Sequence, residues 1–507
     1  MNRQFYTSFL TKHGRPPRVE STEYLRSRPI AQLFLTTTRG VNLYSPEYTL
    51  EDWGFVQYSK EFEFDYNVDY TELMEDKSLS PLRSEFRTAY NRERLGYDPG
   101  RPTTSRRVLE EVLNRETVNV KEICKAIQLR QIPEDWKIIM VHAKERELKE
   151  APRMFAMMVF QKRIYFCVTE MNLSRVILDY FPQQTMTLNE SELLKRLLFI
   201  SDVLRDPALL LSILNEIDFS NRNVGHTRPI TEVFIKVFDK LFGTPGLLEN
   251  THWFFEQCII VLASYLNPPP TVLTCKTGDP PPCNEVWYNH AGGFEGLRQK
   301  GWTLITIALL LYVEQLIGMK SYIISQCDNQ VCKVLIPVPA EYGSVESYLA
   351  TGGDDLEKKI QLFLKTLTEV AKEMGLMVKP DETATSRNIV IYGKDILYKG
   401  AFMPQALKRI SRTLPDVNEI YPTLETKIST MQTSGSAASQ KALDYCVPYV
   451  VSTTETLCVI MREITHLKKQ YKINNPDFQV LTSPRFKEFL LHLSSEVGGC
   501  PILDVTC

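Results

Sequence analysis

Two short stretches decide the fold: residues 292–302, GGFEGLRQKGW, and residues 325–330, SQCDNQ. In the first, glycines precede an apolar segment of helical length, and a helix start of this kind allows close approach of a phosphate. In the second, Asp328 lies between two β-rich runs, residues 321–325 and 331–337, which predicts a hairpin. A carboxylate at such a tip projects beyond the sheet, where a hard cation can reach it.

Two upstream features add to this pattern, although each has an ordinary alternative reading. Asp218 closes an apolar run, and an isolated acid there is commonly a helix cap or a strand-end residue. Residues 144–149, KERELK, alternate in charge, which is typical of a solvated helix face. Glycines before a helix and an Asp-Asn pair are likewise often simple turns. The order of the four features, a basic segment, an acid, a glycine-rich helix start and an acidic hairpin, indicates one shared site.

This order resembles that of the motifs of a palm polymerase. The residues within the motifs are more specific than their order. They resemble the large (L) protein of the nonsegmented negative-strand RNA viruses, the mononegaviruses, whose pattern is GGxEGLRQKGW followed by GDNQ. The resemblance covers roughly residues 70 to 500 and is most like rhabdovirus-like members. Further short motifs that resemble the family occur in the same order: Asp76-Lys77-Ser78 with Pro81, Arg153 and Phe155, Thr169-Glu170, Thr251-His252, Glu382-Thr383, Tyr392-Gly393-Lys394 and Leu407-Lys408.

The resemblance implies template-directed RNA synthesis from ribonucleoside triphosphates, with two Mg²⁺ ions, or Mn²⁺ in their place, about 3.5–4 Å apart. Asp218 and Asp328 are then the expected metal ligands and catalytic residues, and Asn329 is expected to orient that site. Lys394 is an expected proton donor to the leaving pyrophosphate, although a surface lysine beside a β-turn explains it equally well.

The remaining site residues follow from the same resemblance. The residues expected to hold the triphosphate are Lys144, Arg146, Lys149 and Arg163. The residues expected to face template and product RNA are Gly292, Gly293, Glu295, Arg298, Gln299 and Lys408. For Lys408 an ordinary basic helix face is the alternative.

The expected fold is α/β (α+β), a right-hand polymerase core of palm, fingers and thumb with a small antiparallel palm sheet and many helices. We expect an N-terminal region over residues 1–118, fingers and palm over 119–412, and a helical thumb-like region over 413–507. Residues 433–440, TSGSAASQ, predict a small flexible link. Apolar patterning predicts a short buried strand over residues 136–141 and helices over 190–204, 230–241, 294–317, 355–374 and 453–468, with Trp302 in a helix core.

The sequence departs from the family pattern at two places near the expected metal site. Cys327 stands where the family carries Gly: a Cys fits this position if its φ is negative, and its side chain is a candidate for crowding the metal or the substrate. Residues 218–223, DFSNRN, lack the family's Lys-Trp pair before Asn, with Asn223 aligned to that Asn. The alternative function is therefore a catalytically impaired, polymerase-derived protein that keeps the fold and binds RNA or a viral phosphoprotein.

The amino-acid composition limits the class of protein to which this chain can belong. The chain has 507 residues, 43% hydrophobic and 24% charged, which is globular usage and suggests two to four domains. A net charge of −2 excludes a generally basic nucleic-acid-coating protein but allows an enzyme with a basic channel. The 11 cysteines show neither zinc-finger spacing nor a disulfide framework.

Location and partners are expectations of the same kind. The N-terminus lacks the apolar core of a signal peptide, and the apolar run 304–313 is too short to span a bilayer. We expect no membrane association, a location in the host cytoplasm and the virion, and viral phosphoprotein and nucleoprotein-coated RNA as partners. The His-Arg pair of the family's capping region does not occur in the sequence, so we expect a fragment covering the polymerase module.

Overall fold

The structure is a computed structural model. The residues it describes are 1–19, 53–54, 56–74, 78–96, 106–143, 153–202, 209–262, 280, 284–393, 395–417, 423–471, 480 and 483–493. Four predicted site residues, Lys144, Arg146, Lys149 and Lys394, lie outside this part of the chain, as do Asp76 and Lys77. The chain divides into two compact units, one of residues 1–143 and 153–393 and one of residues 144–152 and 394–507. The predicted division at residues 118 and 412 concerns polymerase regions and stays a prediction.

The first unit mixes helices with short strands. Its helices are α1 Asn2–His13, α2 Tyr70–Met74, α3 Arg83–Arg94, α4 Val108–Leu113, α5 Val120–Gln128, α6 Phe160–Asn172, α7 Glu190–Ser201, α8 Arg222–Gly225, α9 Arg228–Phe242, α10 Thr251–Glu256, α11 Gln299–Ile317, α12 Val345–Thr351 and α13 Gly353–Glu373. Its strands are β1 Ser78–Leu79, β2 Arg106–Arg107, β3 Ile138–Ala143, β4 Met154–Met158, β5 Leu210–Ile217, β6 Phe219–Ser220, β7 Ile259–Leu262, β8 Val286–Trp287, β9 Ser321–Gln326, β10 Asn329–Pro337, β11 Met377–Val378, β12 Ala384–Ser386 and β13 Ile389–Tyr392.

The central sheet of the first unit has the strand order β12-β5-β10-β9 and is antiparallel throughout. Strands β5 and β10 are buried along most of their length, which explains their nearly continuous apolar sequence. One face of this sheet packs against apolar side chains of α11 and α13, including Val313 and Leu367. The small antiparallel sheet predicted from the sequence is confirmed.

A second sheet has the order β4-β3-β7-β8, with β3 and β7 parallel and the other pairs antiparallel. Its residues Ile138, Met140 and Val261 form a separate apolar cluster. The short buried strand predicted at residues 136–141 corresponds to β3.

Helix α11 is the most apolar helix of the described core, and it begins later than the predicted residue 294. Trp302 is fully buried, as expected of a core residue. The helix ends at Gly318, whose φ of 68° suits a left-handed helix cap. By length and composition alone α11 passes as a membrane span, but 61% of its apolar window is buried inside the protein. A core helix has the same composition, so this is weak evidence for a membrane segment.

The second unit contains the hairpin of β14 Asp395–Tyr398 and β15 Ala401–Met403, with helices α14 Ala406–Ile410, α15 Leu424–Ser439, α16 Cys446–Tyr471 and α17 Pro484–His492. The flexible link predicted at residues 433–440 is wrong, because almost all of it lies within α15. A Cβ added at Gly435 would lie 2.5 Å from Ser452 Cβ, so the small residues allow α15 and α16 to pack closely. The small residues of this stretch therefore indicate a close contact between two helices and not a loop.

Other helices lie close to their predicted positions. The predictions at residues 190–204, 230–241, 355–374 and 453–468 correspond to α7, α9, α13 and α16. Helix α7 begins at a capping box, in which the Asn189 side chain accepts from Glu192 N and the Glu192 carboxylate accepts from Asn189 N. The overall α/β class with many helices is confirmed and is consistent with a polymerase core.

Candidate functional site

The hairpin of β9 and β10 carries Asp328 at its tip. Strand pairing closes directly on the two turn residues, because Gln326 faces Asn329. Cys327, the first turn residue, has a φ of 50°. Its N–H donates to Thr303 Oγ1 at 3.1 Å, and its carbonyl oxygen accepts from Gln330 Nε2 at 2.6 Å. One hydrogen bond therefore closes the hairpin turn, and the other attaches the turn to helix α11.

The φ of Cys327 is positive, so the condition under which a Cys fits this position, a negative φ, is not met. A two-residue hairpin with a positive φ at its first central position favours glycine there, because a Cβ is strained in the left-handed region. This backbone geometry is the one that suits the Gly of the family pattern. Cys327 adopts it while carrying a side chain.

Asp218 lies at the same end of the central sheet as Asp328. Strand β10 pairs with β5 so that Gln330 faces Ile217. The ladder ends at this pair, so Asp218, which follows Ile217, and Asn329 and Asp328, which precede Gln330, lie at the same end of the two strands. Asn329 Nδ2 also donates to Asp328 Oδ1 at 3.2 Å. The register thus brings the two predicted metal ligands and the predicted orienting residue to one edge.

The Asp218 carboxylate is held by neighbours on both oxygens. Oδ1 accepts from Phe219 N at 2.8 Å, and Oδ2 accepts from Lys379 Nζ at 3.2 Å. Lys379 also pairs with Glu382 at 3.1 Å. Burial, followed by a hydrogen bond with the Glu382 carboxyl group, raises the pKa of Asp218 above its usual value, and Lys379 opposes that shift.

Glu216 enlarges this acidic group. It lies one pleat before Asp218 on β5 and faces Ala384 on β12. Burial raises the pKa of Glu216 to about 7, and the nearby carboxylates of Asp218 and Glu382 act in the same direction. The edge of the sheet therefore holds more carboxyl groups than the two predicted acids alone.

The glycine-rich loop before α11 packs against the turn that follows Asp218. Gly293 N donates to Asn223 O at 2.9 Å. A Cβ at Gly292 would lie 2.4 Å from Val224 O, and one at Gly293 would lie 2.1 Å from the Trp302 ring. Both positions exclude a side chain, so the two glycines serve this close backbone contact.

Glu295 and Gln299 hold the side chain of Asn223. Asn223 Nδ2 donates to Glu295 Oε2 at 2.5 Å, and Gln299 Nε2 donates to Asn223 Oδ1 at 3.1 Å. Arg153 pairs with Glu295 at 3.4 Å. The loop and the segment after Asp218 therefore form one polar network, and the predicted RNA contacts of Gly292, Gly293, Glu295 and Gln299 stay a prediction.

Arg298 differs from its predicted role of facing RNA. Its side chain is fully buried, and its guanidinium donates to Thr169 Oγ1 at 2.6 Å, to Tyr165 OH at 2.9 Å and to Thr251 Oγ1 at 2.9 Å. It also pairs with Glu170 at 3.4 Å. With these donors occupied inside the protein, Arg298 supports the glycine-rich loop from beneath and presents none of them to RNA.

A family model described as Mononegavirales RNA dependent RNA polymerase matches residues 1–506 of this sequence. The chain belongs to this family. The family resemblance inferred from the glycine-rich stretch and the DNQ hairpin is confirmed.

Similar curated proteins come from plant and animal viruses of this kind. The chain is 30% identical over 447 residues to the RNA-directed RNA polymerase L of Taro vein chlorosis virus, covering 86% of this chain and 22% of that protein. It is 30% identical over 411 residues to the RNA-directed RNA polymerase L of Lettuce necrotic yellows virus (isolate 318), covering 79% and 19%. It is 28% identical over 443 residues to the Large structural protein of Rabies virus (strain HEP-Flury), covering 85% and 20%. The chain spans about a fifth of the length of these relatives.

Two further predicted site residues of this mononegaviral polymerase chain lie in the part that the structure describes. Arg163 is half-buried on α6 of the first unit, and Lys408 is exposed on α14 of the second unit. Lys144, Arg146, Lys149 and Lys394 lie outside the described residues, so their roles stay predictions.

Three residues near the acids were missed by the sequence reasoning: Arg222, Lys379 and Glu382 were not assigned to the site. Lys379 and Glu382 were detectable in part, because a Lys and a Glu three residues apart precede the short strand β12. Arg222 carries a weaker signal, namely a charged residue within the stretch where the family pattern has Lys-Trp. Only the fold shows that all three face the same acidic edge.

Proposed function

We propose that this chain carries the nucleotidyl-transfer centre of an RNA-directed RNA polymerase of a negative-strand RNA virus. The observation that carries this proposal is the β5–β10 register, which sets Asp218 and Asp328 at one edge beside the glycine-rich loop. In the proposed reaction the 3′ hydroxyl of the nascent RNA attacks the α-phosphate of a ribonucleoside triphosphate, and pyrophosphate leaves. Positioning and charge neutralisation supply most of the rate enhancement.

Mg²⁺, or Mn²⁺ in its place, fits the donor set of this edge. Asp218 and Asp328 offer carboxylate oxygens, which hard cations prefer. Among the described residues no three His, Cys, Asp or Glu side chains are grouped closely enough to hold a metal ion. The two carboxylates would therefore need oxygen ligands from water and the triphosphate, as is usual for Mg²⁺. When bound, the ions would supply neutralisation of the charge on the attacking and leaving oxygens.

Lys379 is our proposed proton donor to the leaving pyrophosphate. Its ammonium lies 3.2 Å from Asp218 Oδ2, and its side chain is about one third exposed, at 30%. Burial lowers the pKa of Lys379, but the carboxylates of Glu382 and Asp218 outweigh it, so the pKa lies above its usual value and Lys379 is protonated at neutral pH. Lys394 stays a second prediction for this role, outside the described residues.

The proposed substrates and partners follow from the family. RNA template, RNA product and ribonucleoside triphosphates are the proposed substrates, and viral phosphoprotein and nucleoprotein-coated RNA are the proposed partners. The proposed location is the host cytoplasm and the virion. These proposals concern the function of the longer proteins that the chain matches over a fifth of their length.

Primer extension on an RNA template with Mg²⁺ or Mn²⁺ tests the proposal. Asp328→Asn should abolish extension, because it removes a metal-binding charge while keeping the side-chain size. The exposed Asp381→Asn is the matched control and should extend like the parent protein. Extension that survives in Asp328→Asn would refute the assignment.

A catalytically impaired, polymerase-derived protein that keeps RNA binding is a second candidate function. The observation that favours it is Cys327, which carries a side chain at a φ of 50° beside Asp328. RNA binding without extension in the parent protein, with extension gained in Cys327→Gly, would support impairment by this residue. Extension by the parent protein would exclude this candidate.

A further inference from the structure

Arg222 is a buried cation near the acidic edge of the central sheet. With Asn223 aligned to the Asn of the family pattern, Arg222 stands at the position of the family's Trp. It is 4% exposed, and its Nη2 donates to Thr306 Oγ1 at 3.0 Å. Its Nε is buried and has no hydrogen-bond partner. The charged group is therefore held by a neutral threonine.

Arg222 and the hairpin tip are attached to the same face of α11. Cys327 N donates to Thr303 Oγ1 at 3.1 Å, and Thr306 lies three residues further along this helix. Residues three apart on a helix are neighbours on one side. The guanidinium and the hairpin turn are thus fixed to adjacent positions, independently of any bound ligand.

The charges that act on Arg222 are those of the proposed site. Burial lowers the pKa of Arg222 to about 10, and Cys327, Asp328, Glu295 and Asp218 oppose this shift in that order. Arg222 remains charged at neutral pH. Its field therefore reaches both proposed metal ligands.

We propose that Arg222 is a positioning residue whose fixed positive charge beneath Asp218 and Asp328 weakens their affinity for a divalent cation before nucleotide binds. This inference rests on the proposed function, since it assigns a partner charge to the same two acids. The negative charge of an incoming triphosphate would offset Arg222, so that cation and nucleotide bind together. An uncharged residue such as the family's Trp at this position would give a site that binds cations more tightly in the absence of nucleotide.

Binding of Mn²⁺ alone to the full chain, without RNA or nucleotide, tests this inference through water-proton relaxation. Arg222→Met removes the charge and retains the length of the side chain, and it should tighten binding about tenfold for a partly screened charge at this range. Arg222→Lys keeps the charge and should bind within about twofold of the parent protein. A purely structural role predicts that both variants change in the same way, and that result would overturn the inference.

Two further variants keep the result interpretable. Arg222→Trp places the family residue at this position and should also tighten Mn²⁺ binding, so it replaces Arg222→Met if that variant does not fold. Asp328→Asn defines the binding component that belongs to the site. If this component is absent, the metal site of the proposed function is wrong. If it is present and does not change on loss of the Arg222 charge, only the inference about Arg222 is wrong.

Discussion

Lys379 contacts Asp218 twice: its N–H donates to the Asp218 carbonyl oxygen at 2.9 Å, and its ammonium donates to Asp218 Oδ2 at 3.2 Å. Two strand ladders meet at Asp218. The β5–β10 ladder leads to Asn329, and the β6–β11 ladder, in which Val378 faces Phe219, leads to Lys379. The backbone therefore fixes a carboxylate, an ammonium and the hairpin tip relative to one another.

Replacing Lys379 by Met should slow primer extension by about 10²-fold, the effect expected for loss of a general acid. The reason is that the ammonium beside Asp218 would no longer supply a proton to pyrophosphate. Single-turnover extension rates at saturating nucleotide measure this effect. Lys372→Met, an exposed position on α13, is the matched control and should retain the parent rate. Equal rates for both variants would contradict the role of Lys379.

Cys327→Gly should stabilise the protein by about 0.5–1 kcal/mol. A Cβ in the left-handed region is disfavoured by about 1–2 kcal/mol, and the greater freedom of glycine in the unfolded chain offsets part of this gain. Chemical denaturation measures the change, and the extension rate should be maintained or increased. Cys327→Ala is the control, because it removes the thiol but keeps the Cβ. A Gly variant no more stable than the Ala variant would show that this turn is unstrained.

Sequence reasoning succeeded where local patterns decide the structure. The hairpin around Asp328 and the helix after Gln299 are encoded by alternation, turn residues and a long apolar run. It failed where contacts distant in sequence decide. Arg298 has the chemistry of an RNA-binding residue, but Tyr165 and Thr251, far away in sequence, occupy its donors. Gly435 lies in a stretch with the composition of a linker, but it is part of helix α15, where its lack of a side chain allows close contact with Ser452 of α16.

The two predicted metal ligands were assigned for a different reason. Asp218 and Asp328 are 110 positions apart in the numbering, and no local pattern relates them. Their pairing was inferred from the order of motifs, and the β5–β10 register then supplied the physical link. Lys379 was missed because its partner is reached through a second ladder of only two paired positions. Such short strands leave little periodicity to detect.

Gly293→Ala should destabilise the first unit by about 3 kcal/mol or prevent its folding. The added Cβ would lie 2.1 Å from the Trp302 ring and 2.7 Å from Asn223 O, and neither a buried indole nor a backbone carbonyl can move freely. Denaturant unfolding measures the loss. The control is Gly353→Ala, because a Cβ at this helical position meets no atom within 4 Å. That variant should be neutral or more stable by up to about 1 kcal/mol.

Two buried histidines, His226 and His252, predict a loss of stability in mild acid. Burial lowers the pKa of His252 from 6.5 to about 4, and burial also lowers the pKa of His226. Between pH 6.5 and 4 the unfolded chain therefore binds protons that the folded chain does not, and the free energy of unfolding falls as the pH falls. For His252 alone the loss at pH 5, relative to pH 8, is about 2 kcal/mol.

His252→Gln separates this contribution from other acid effects. His252 Nε2 lies 2.6 Å from His226 O, and a Gln amide can donate to that carbonyl without titrating. The variant should be less stable than the parent protein at pH 8 because its packing is altered. Its unfolding free energy should nevertheless decline less between pH 8 and pH 5, by about 2 kcal/mol. His492→Gln, at an exposed position on α17, should decline like the parent protein. If His252→Gln also declines like the parent protein, His252 is already protonated in the folded state at pH 5, and its burial does not couple folding to pH.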